Sequence, residues 1–167
     1  VTVVALGSIQ SGPNANNSGT APAGILAGFN PNNAGVFNGN VFGDVFVSAG
    51  GNITAAAGDG IRAYNYGIGN ISVNVGFNVN IQALTSSTAS SGNAPDGIGA
   101  VNYGPGDIHV TTSSGGVINS GSSGINASNQ SNSVAANEDA MVTVSAAAGS
   151  IHSRTINNNS GALPSGI

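Results

Sequence analysis

Short apolar stretches alternate along the chain with turns rich in Gly, Asn, Asp and Ser. Residues 45–47, 71–73 and 108–110 each place an aliphatic side chain at every second position. This period of two predicts β-strands with one buried face. No stretch shows the 3.6-residue period of a helix, and the chain contains few of the charged residues that favour helices. We therefore predict an all-β protein without helices.

A longer repeat organises these strands. Residues 60–73 and 97–110 share the pattern GIxAxNYGxG(N/D)IxV, with an offset of 37 residues. Residues 24–27 and 124–127 carry shorter copies of its GIxA unit. Each repeat holds three short strand segments, which cannot form a core alone and must stack on their neighbours. We predict a parallel β-helix, a solenoid of about four to five coils with three short strands per coil.

The spacing of the repeats predicts loops at two corners of the coil. Three inserts lie between the second and third strands, at residues 12–22, 85–95 and 154–164. Two more lie between the third strand and the next coil, at about residues 30–40 and 130–139. Loops gathered at fixed corners of a solenoid are typical of a surface offered to a partner.

Stacked coils would align equivalent residues in columns. Aliphatic residues would fill the narrow interior, and Asn side chains at one corner would bond to their neighbours above and below. Asn30 is one position out of register, which indicates that the Asn ladder does not reach the first coil. The predicted structural ladder comprises Ile61, Ile98 and Ile125, then Ala63, Ala100 and Ala127, then Asn65, Asn102 and Asn129.

Composition narrows the possible partners. The chain has 167 residues, Lys plus Arg is 2, Asp plus Glu is 6, and the formal net charge is -4. Nucleic-acid binding is not expected, because its affinity comes mainly from Lys and Arg. The absence of Cys excludes disulfides and thiolate metal sites. No apolar run is long enough for a transmembrane helix, and we interpret residues 1–167, which begin at Val1, as a mature fragment or an excised segment.

The GIxAxNYGxG(N/D)IxV copies at residues 60–73 and 97–110, separated by Ser/Gly/Asn loops, resemble the passenger domains of Gram-negative autotransporters. They are also similar to haemagglutinin-like β-helix adhesins. The resemblance implies a right-handed, pectin-lyase-like parallel β-helix, with residues 1–167 as a single fragment of a longer passenger region. It further implies export across two membranes and display as a secreted or cell-surface protein.

Asp59 and Asp96 are the strongest candidates for chemistry, because both directly precede a GI pair and would lie in neighbouring coils. Stacked carboxylates could share a proton or a cation. Asp before Gly is also a common turn pair, which we consider the better interpretation. Arg62 is expected to point outward and to pair with Asp59 at the surface.

The remaining polar residues predict no catalytic, cofactor or metal site. His109 and His152 should point outward, and their spacing does not form a metal-binding pair. The sequence lacks the GxSxG, HExxH and P-loop patterns. We therefore expect no cofactor and no enzymatic activity.

Aromatic residues are few but unevenly placed. Tyr66 and Tyr103 occupy equivalent positions of the repeat, and Tyr64 should project outward, so these three could contact a sugar ring or a partner protein. A role in covering the turn is the alternative interpretation. Phe37 and Phe42 are expected to pack a loop back onto the coils.

These observations favour a structural or adhesive segment, a rigid stalk that presents loops to a protein or glycan on a host or bacterial surface. Two alternatives stay open: a carbohydrate-active enzyme, either a polysaccharide lyase or a hydrolase, and an ice-binding solenoid. With so little charge and with strand edges at each end, end-to-end self-association is also expected.

Overall fold

A computed structural model describes residues 1–12, 22–30, 36–83, 95–131 and 140–153. These residues form strands and turns and contain no helix, so the prediction of an all-β protein is confirmed for them. The predicted loop inserts at residues 12–22, 85–95, 130–139 and 154–164 fall largely outside the described residues, whereas residues 36–40 of the insert at about 30–40 are described. The fourteen strands are β1 (Thr2–Ala5), β2 (Ile9–Ser11), β3 (Ile25–Phe29), β4 (Val45–Ala49), β5 (Ile53–Ala55), β6 (Ile61–Asn65), β7 (Ile71–Val75), β8 (Ile81–Ala83), β9 (Ile98–Asn102), β10 (Ile108–Thr112), β11 (Val117–Ser120), β12 (Ile125–Asn129), β13 (Val142–Ala146) and β14 (Ser150–Ser153).

The strands form three parallel sheets with a regular order. Sheet A runs β1-β4-β7-β10-β13, sheet B runs β2-β5-β8-β11-β14, and sheet C runs β3-β6-β9-β12. Three consecutive strands, one in each sheet, make a layer: β1–β3, β4–β6, β7–β9 and β10–β12, with β13 and β14 in a fifth layer. Among the described strands, each layer pairs only with the layers before and after it, an arrangement that fits a parallel β-helix.

Residues of like size pair from layer to layer and build the core. On sheet A, Val45 pairs with Ile71, which pairs with Ile108, and all three are buried. On sheet C, Ile25, Ile61, Ile98 and Ile125 form one continuous column of partners. The alternate residues of each strand point away from the core. The period-two pattern therefore corresponds to one buried and one outward face.

Glycine is required where two layers come closest. A side chain added at Gly97 would overlap Ile118 and would lie 2.5 Å from the carbonyl oxygen of Gly124 in the next layer. Gly60 has the same close contact with Ile81 and with the Gly97 carbonyl. The glycine of the GI unit is thus set by contact between layers, and the isoleucine after it fills the core.

The first and fifth layers are less buried than the layers between them. Val142 pairs with Ile108, yet 42% of its surface is exposed, because no described strand covers its other side. Val3 and Ile9 of the first layer are only half-buried for the same reason. The inward residues of both terminal layers are therefore partly open to solvent.

One aromatic prediction is wrong. Phe42 does not pack onto the core, since 73% of its surface is exposed. Its backbone bridges Ile68 in parallel register. Phe37, in contrast, is half-buried, and its ring lies against the backbone of Gly104.

Candidate functional site

The column of Asn side chains lies between sheet C and the next strand of sheet A. Asn65 and Asn102 are in register and fully buried. The Asn102 Nδ2 donates to the carbonyl oxygens of Gly69, at 3.0 Å, and Gly106, at 3.2 Å. Its Oδ1 accepts the Gly104 amide at 3.2 Å. One side chain thereby bonds to three backbone groups of the buried turn.

Asn side chains in the second and fourth layers make similar hydrogen bonds. The Asn65 Nδ2 donates to Gly43 and Gly69, and its Oδ1 accepts the Gly67 amide at 2.7 Å. Asn129 is in register with Asn102, is half-buried, and donates to Gly106 at 3.0 Å. In the first layer the partner of Asn65 is Phe29, so Asn30 lies one position beyond the column.

The other predicted columns are also brought together by the sheet registers. Ile61, Ile98 and Ile125 are consecutive partners on sheet C and are all buried. The alanine column is the next inward position on the same strands. Its member in the fourth layer, Ala127, is half-buried. Its members in the second and third layers, Ala63 and Ala100, are fully buried.

A second ladder runs along the start of the sheet A strands. The Asp44 Oδ1 accepts the Asn70 amide at 2.8 Å, and the Asn70 Oδ1 accepts the Asp107 amide at 2.8 Å. The Asp107 Oδ1 in turn accepts the Met141 amide at 2.9 Å. Because Asn and Asp alternate here, the position requires an acceptor oxygen, which either residue supplies without a need for charge.

A third ladder, which the sequence reasoning missed, runs along the start of the sheet B strands. The Asn52 Oδ1 accepts the Asn80 amide at 2.8 Å, and the Asn80 Oδ1 accepts the Val117 amide at 3.0 Å. The signal is present in the sequence as an Asn directly before Ile53 and Ile81. It is easily overlooked because Asn is abundant in every turn.

Asp59 and Asp96 form the fourth ladder, at the start of the sheet C strands. The Asp59 Oδ1 accepts the Asp96 amide at 2.9 Å, and the Asp96 Oδ1 accepts the Ser123 amide at 3.1 Å. These bonds between layers agree with the interpretation of both residues as turn residues. The Arg62 Nη1 lies 3.8 Å from the Asp59 Oδ2, a long and partly exposed ion pair that contributes little.

The surroundings of Asp59 oppose its ionisation. Burial, the largest cause, raises the pKa of Asp59, and the negative charge of Asp96 adds to the effect. The Asp96 amide and the Arg62 guanidinium act in the opposite direction. The second oxygens of both carboxylates flank Gly99, and the Asn126 Nδ2 donates to the Asp96 Oδ2 at 2.9 Å.

The three tyrosines lie together at one end of the sheet C strands. The rings of Tyr66 and Tyr103 stack in parallel with centroids 4.0 Å apart, and the Tyr64 ring meets Tyr66 edge-on at 6.0 Å. Partial burial, followed by interaction with the Tyr103 hydroxyl, raises the pKa of Tyr66 to about 12. All three are half-buried, so this tyrosine cluster exposes part of its surface to solvent.

The outward face of sheet A carries no Asp, Glu, Lys or Arg side chain. In the third, fourth and fifth layers it carries two columns of polar side chains that form no hydrogen bonds within the described residues: Ser72, His109 and Thr143, then Asn74, Thr111 and Ser145. His109 faces outward as predicted, and its Nε2 lies 3.9 Å from the Asp107 Oδ2. His152 faces outward on sheet B, where it pairs with Asn119.

The part of the chain that the structure describes shows no group of three or more His, Asp or Glu that could hold a metal ion. Across the same residues there is no helix that could span a membrane. Comparisons with known proteins found no matching protein-family model, no matching curated protein and no matching solved structure.

Proposed function

We propose that the chain is a rigid segment of a right-handed parallel β-helix, a stalk in a secreted or surface-displayed bacterial adhesin. The observation that carries this proposal is the set of four ladders, at least one at each corner, that bond every central layer to the next. Such ladders hold consecutive layers at every corner, so the stack resists both bending and separation of its layers. The resemblance to autotransporter passengers supports the handedness, the surface location and the membership of a longer passenger region.

The tyrosine cluster supplies the proposed contact surface. Tyr64, Tyr66 and Tyr103 offer rigid, amphipathic rings whose ordering costs little entropy, and Arg62 beside them offers a fork of hydrogen-bond donors. Aromatic rings with neighbouring polar groups suit a glycan or a protein surface. The proposal involves no catalytic step; Asp59 and Asp96, at the opposite end of the sheet C strands, are assigned a structural role because the Oδ1 of each accepts a backbone amide of the next layer.

An adhesion assay tests the contact surface. Beads coated with the chain would be passed over a glycan microarray and over surfaces coated with gelatin or albumin. We expect retention on at least one surface other than albumin, and a several-fold loss in Tyr64→Ser and Tyr103→Ser variants. The outward residue Gln82 on sheet B provides a matched control as Gln82→Ser. Retention no greater than on albumin would contradict the adhesive role.

Mechanical unfolding tests the stalk separately. Single chains would be pulled along the stacking axis, and we expect the unfolding force to fall in an Asn102→Ala variant and to stay unchanged in Asn74→Ala. Equal forces in both variants would show that the ladders do not hold the layers together. The carbohydrate-active enzyme and the ice-binding solenoid stay as alternatives from the sequence, without a specific observation in their favour among the described residues.

A further inference from the structure

Tyr66 and Tyr103 are held face to face by the backbones of two consecutive layers. The Tyr103 amide donates to the Asn65 carbonyl oxygen at 2.8 Å, which links the backbones directly before the two rings. Directly after the rings, Gly67 and Gly104 approach so closely that a side chain at Gly104 would overlap the Gly67 carbonyl. The backbone is therefore fixed between the layers on both sides of the two tyrosines.

The two rings present equivalent atoms to each other. Their planes differ by 4° and their centroids lie 4.0 Å apart. The Tyr66 phenol interacts with the Tyr103 hydroxyl, which places the two oxygens at the same end of the stack. The Cε carbons, which flank the carbon that bears each hydroxyl, therefore also face each other across the stack.

Few other side chains of this chain compete with these phenols for an oxidant. The sequence contains three Tyr, one Met, no Trp and no Cys. Thiols and thioethers are readily oxidised, and the single thioether, Met141, directly precedes β13 in the fifth layer. One-electron oxidation in the second and third layers is therefore directed to the tyrosines.

The Tyr66 phenol is also poised to lose an electron and a proton together. Partial burial, followed by interaction with the Tyr103 hydroxyl, raises the pKa of Tyr66 to about 12. The phenol is therefore neutral at physiological pH, and its oxidation gives a neutral phenoxyl radical rather than a buried charge.

We propose that Tyr66 and Tyr103 are an oxidative cross-linking site, at which a one-electron oxidant joins the two rings as dityrosine. Each phenol gives up one electron and its hydroxyl proton, and the unpaired electron is shared with the Cε carbons. The two radicals form one C–C bond between a Cε carbon of each ring. Each bonded carbon then loses its hydrogen as the phenol oxygen regains one, which restores both aromatic rings.

The step is balanced by two equivalents of the oxidant. Two tyrosines lose two protons and two electrons in total, and a haem peroxidase would pass these to one hydrogen peroxide to give two waters. The cross-link depends on the ring geometry and not on the adhesive role of the same surface. It would close a loop of one 37-residue repeat between the second and third layers. Such a bond restricts the unfolded chain, so the oxidised protein should unfold at a higher temperature than the untreated protein.

Tyr64 is not expected to take part in the bond. Its ring meets Tyr66 edge-on, at 68° and a centroid distance of 6.0 Å, so the Cε carbons of these two rings do not stack. Tyr64 thereby provides a matched control, because it belongs to the same cluster but lacks the required geometry.

Light-driven oxidation of the intact chain by tris(bipyridyl)ruthenium with persulfate, followed by mass spectrometry, tests the cross-link. After oxidation at micromolar concentration, the chain would be denatured and cleaved before its Asp residues. Cleavage separates residues 59–95, which hold Tyr64 and Tyr66, from residues 96–106, which hold Tyr103. We expect these two fragments to be joined with the loss of two hydrogens. Their yield should be at least about tenfold higher from the folded chain than from a chain oxidised in concentrated urea.

Phenylalanine variants identify the partners, since each keeps the ring and lacks the phenol. Tyr66→Phe and Tyr103→Phe should each abolish the joined fragments, whereas Tyr64→Phe should retain them. Joined fragments that persist in Tyr66→Phe, or a bond confined to residues 59–95, would overturn the proposal. The proposal would also fail if no joined fragments formed in the folded chain, if they formed only between two chains, or if their yield in urea were the same.

Discussion

Asn65 and Asn102 donate to the same carbonyl oxygen, that of Gly69, at 3.2 and 3.0 Å. The carbonyl lies in the turn between their layers, so each side chain holds the turn from one side. The Gly106 carbonyl is shared in the same way by Asn102 and Asn129. The ladder is therefore a continuous chain of shared acceptors, and its members are coupled through the turns.

Replacement of Asn102 by alanine should destabilise the protein strongly. The change would leave the Gly104 amide unpaired and would remove a donor from two glycine carbonyls, all in a buried turn. We expect a loss of about 2–4 kcal/mol in the free energy of unfolding, measured by denaturant titration. Asn74→Ala, at an outward position, should change it by less than about 0.5 kcal/mol. Equal effects of the two substitutions would contradict the role of the ladder.

Replacement of Thr112 by valine should stabilise the protein. Its hydroxyl is buried in the inward column of sheet A between Val75 and Ala146, and it has no hydrogen-bond partner among the described residues. Thr112→Val removes the unsatisfied group and preserves the shape, so we expect a gain of about 1 kcal/mol in unfolding free energy. Thr111→Val, one residue away and outward, should have little effect. A loss of stability in Thr112→Val would indicate that the hydroxyl has a partner.

Gly97 should not tolerate a methyl group. An alanine Cβ there would press on the Gly124 carbonyl and on Ile118, so the layers would have to separate locally. We expect Gly97→Ala to lower the unfolding free energy by about 1–3 kcal/mol, and thermal unfolding monitored by circular dichroism would detect it. Gly7, which has no atom within 4 Å of the same position, is the control as Gly7→Ala.

Asp59 should make stability depend on pH in a defined direction. Burial raises its pKa above 3.8, so the folded state holds the proton more tightly than the unfolded chain does. Its contribution is therefore most favourable below 3.8 and is lost as pH rises through the folded pKa. Denaturant titrations from pH 3 to 7 should show a less steep fall of stability with rising pH in Asp59→Asn than in the unaltered chain. The Asn side chain keeps the acceptor for the Asp96 amide, and Asp107→Asn controls for the loss of a carboxylate elsewhere.

The sequence predicted the inward residues well because two independent patterns agreed on them. Alternation at period two marked the buried face, and the 37-residue offset predicted that Ile61 lies beside Ile98, which the sheet register confirms. The register of Asn65 and Asn102 was predictable for a similar reason, since both lie in the part of the repeat where the two copies match. Their predicted bonds were wrong in detail, because the two side chains donate to the shared Gly69 carbonyl and not to each other. Phe29, at the same position in the first layer, explains why Asn30 is out of register.

The ladders before the strands were harder to predict because their geometry depends on the distance between layers. Asn52 and Asn80 look like ordinary turn residues until the strands are stacked, when each side chain meets an amide of the next layer. The prediction that Phe42 packs onto the coils was wrong for a different reason. Its hydrophobicity predicted burial, but the backbone bridge to Ile68 leaves the ring in solvent. The tyrosine cluster was predicted by position, whereas its parallel stacking followed from the register of the turn.

The polar outward columns of sheet A can vary in sequence more freely than the rest of the protein. Shape is specified by inward aliphatic residues and by the corner amides, while Ser72, Asn74 and Thr111 contribute nothing that the backbone needs. Mutations on that face are therefore nearly free of structural cost, so an engineer grafting a new epitope could replace the whole face while the framework stays the same.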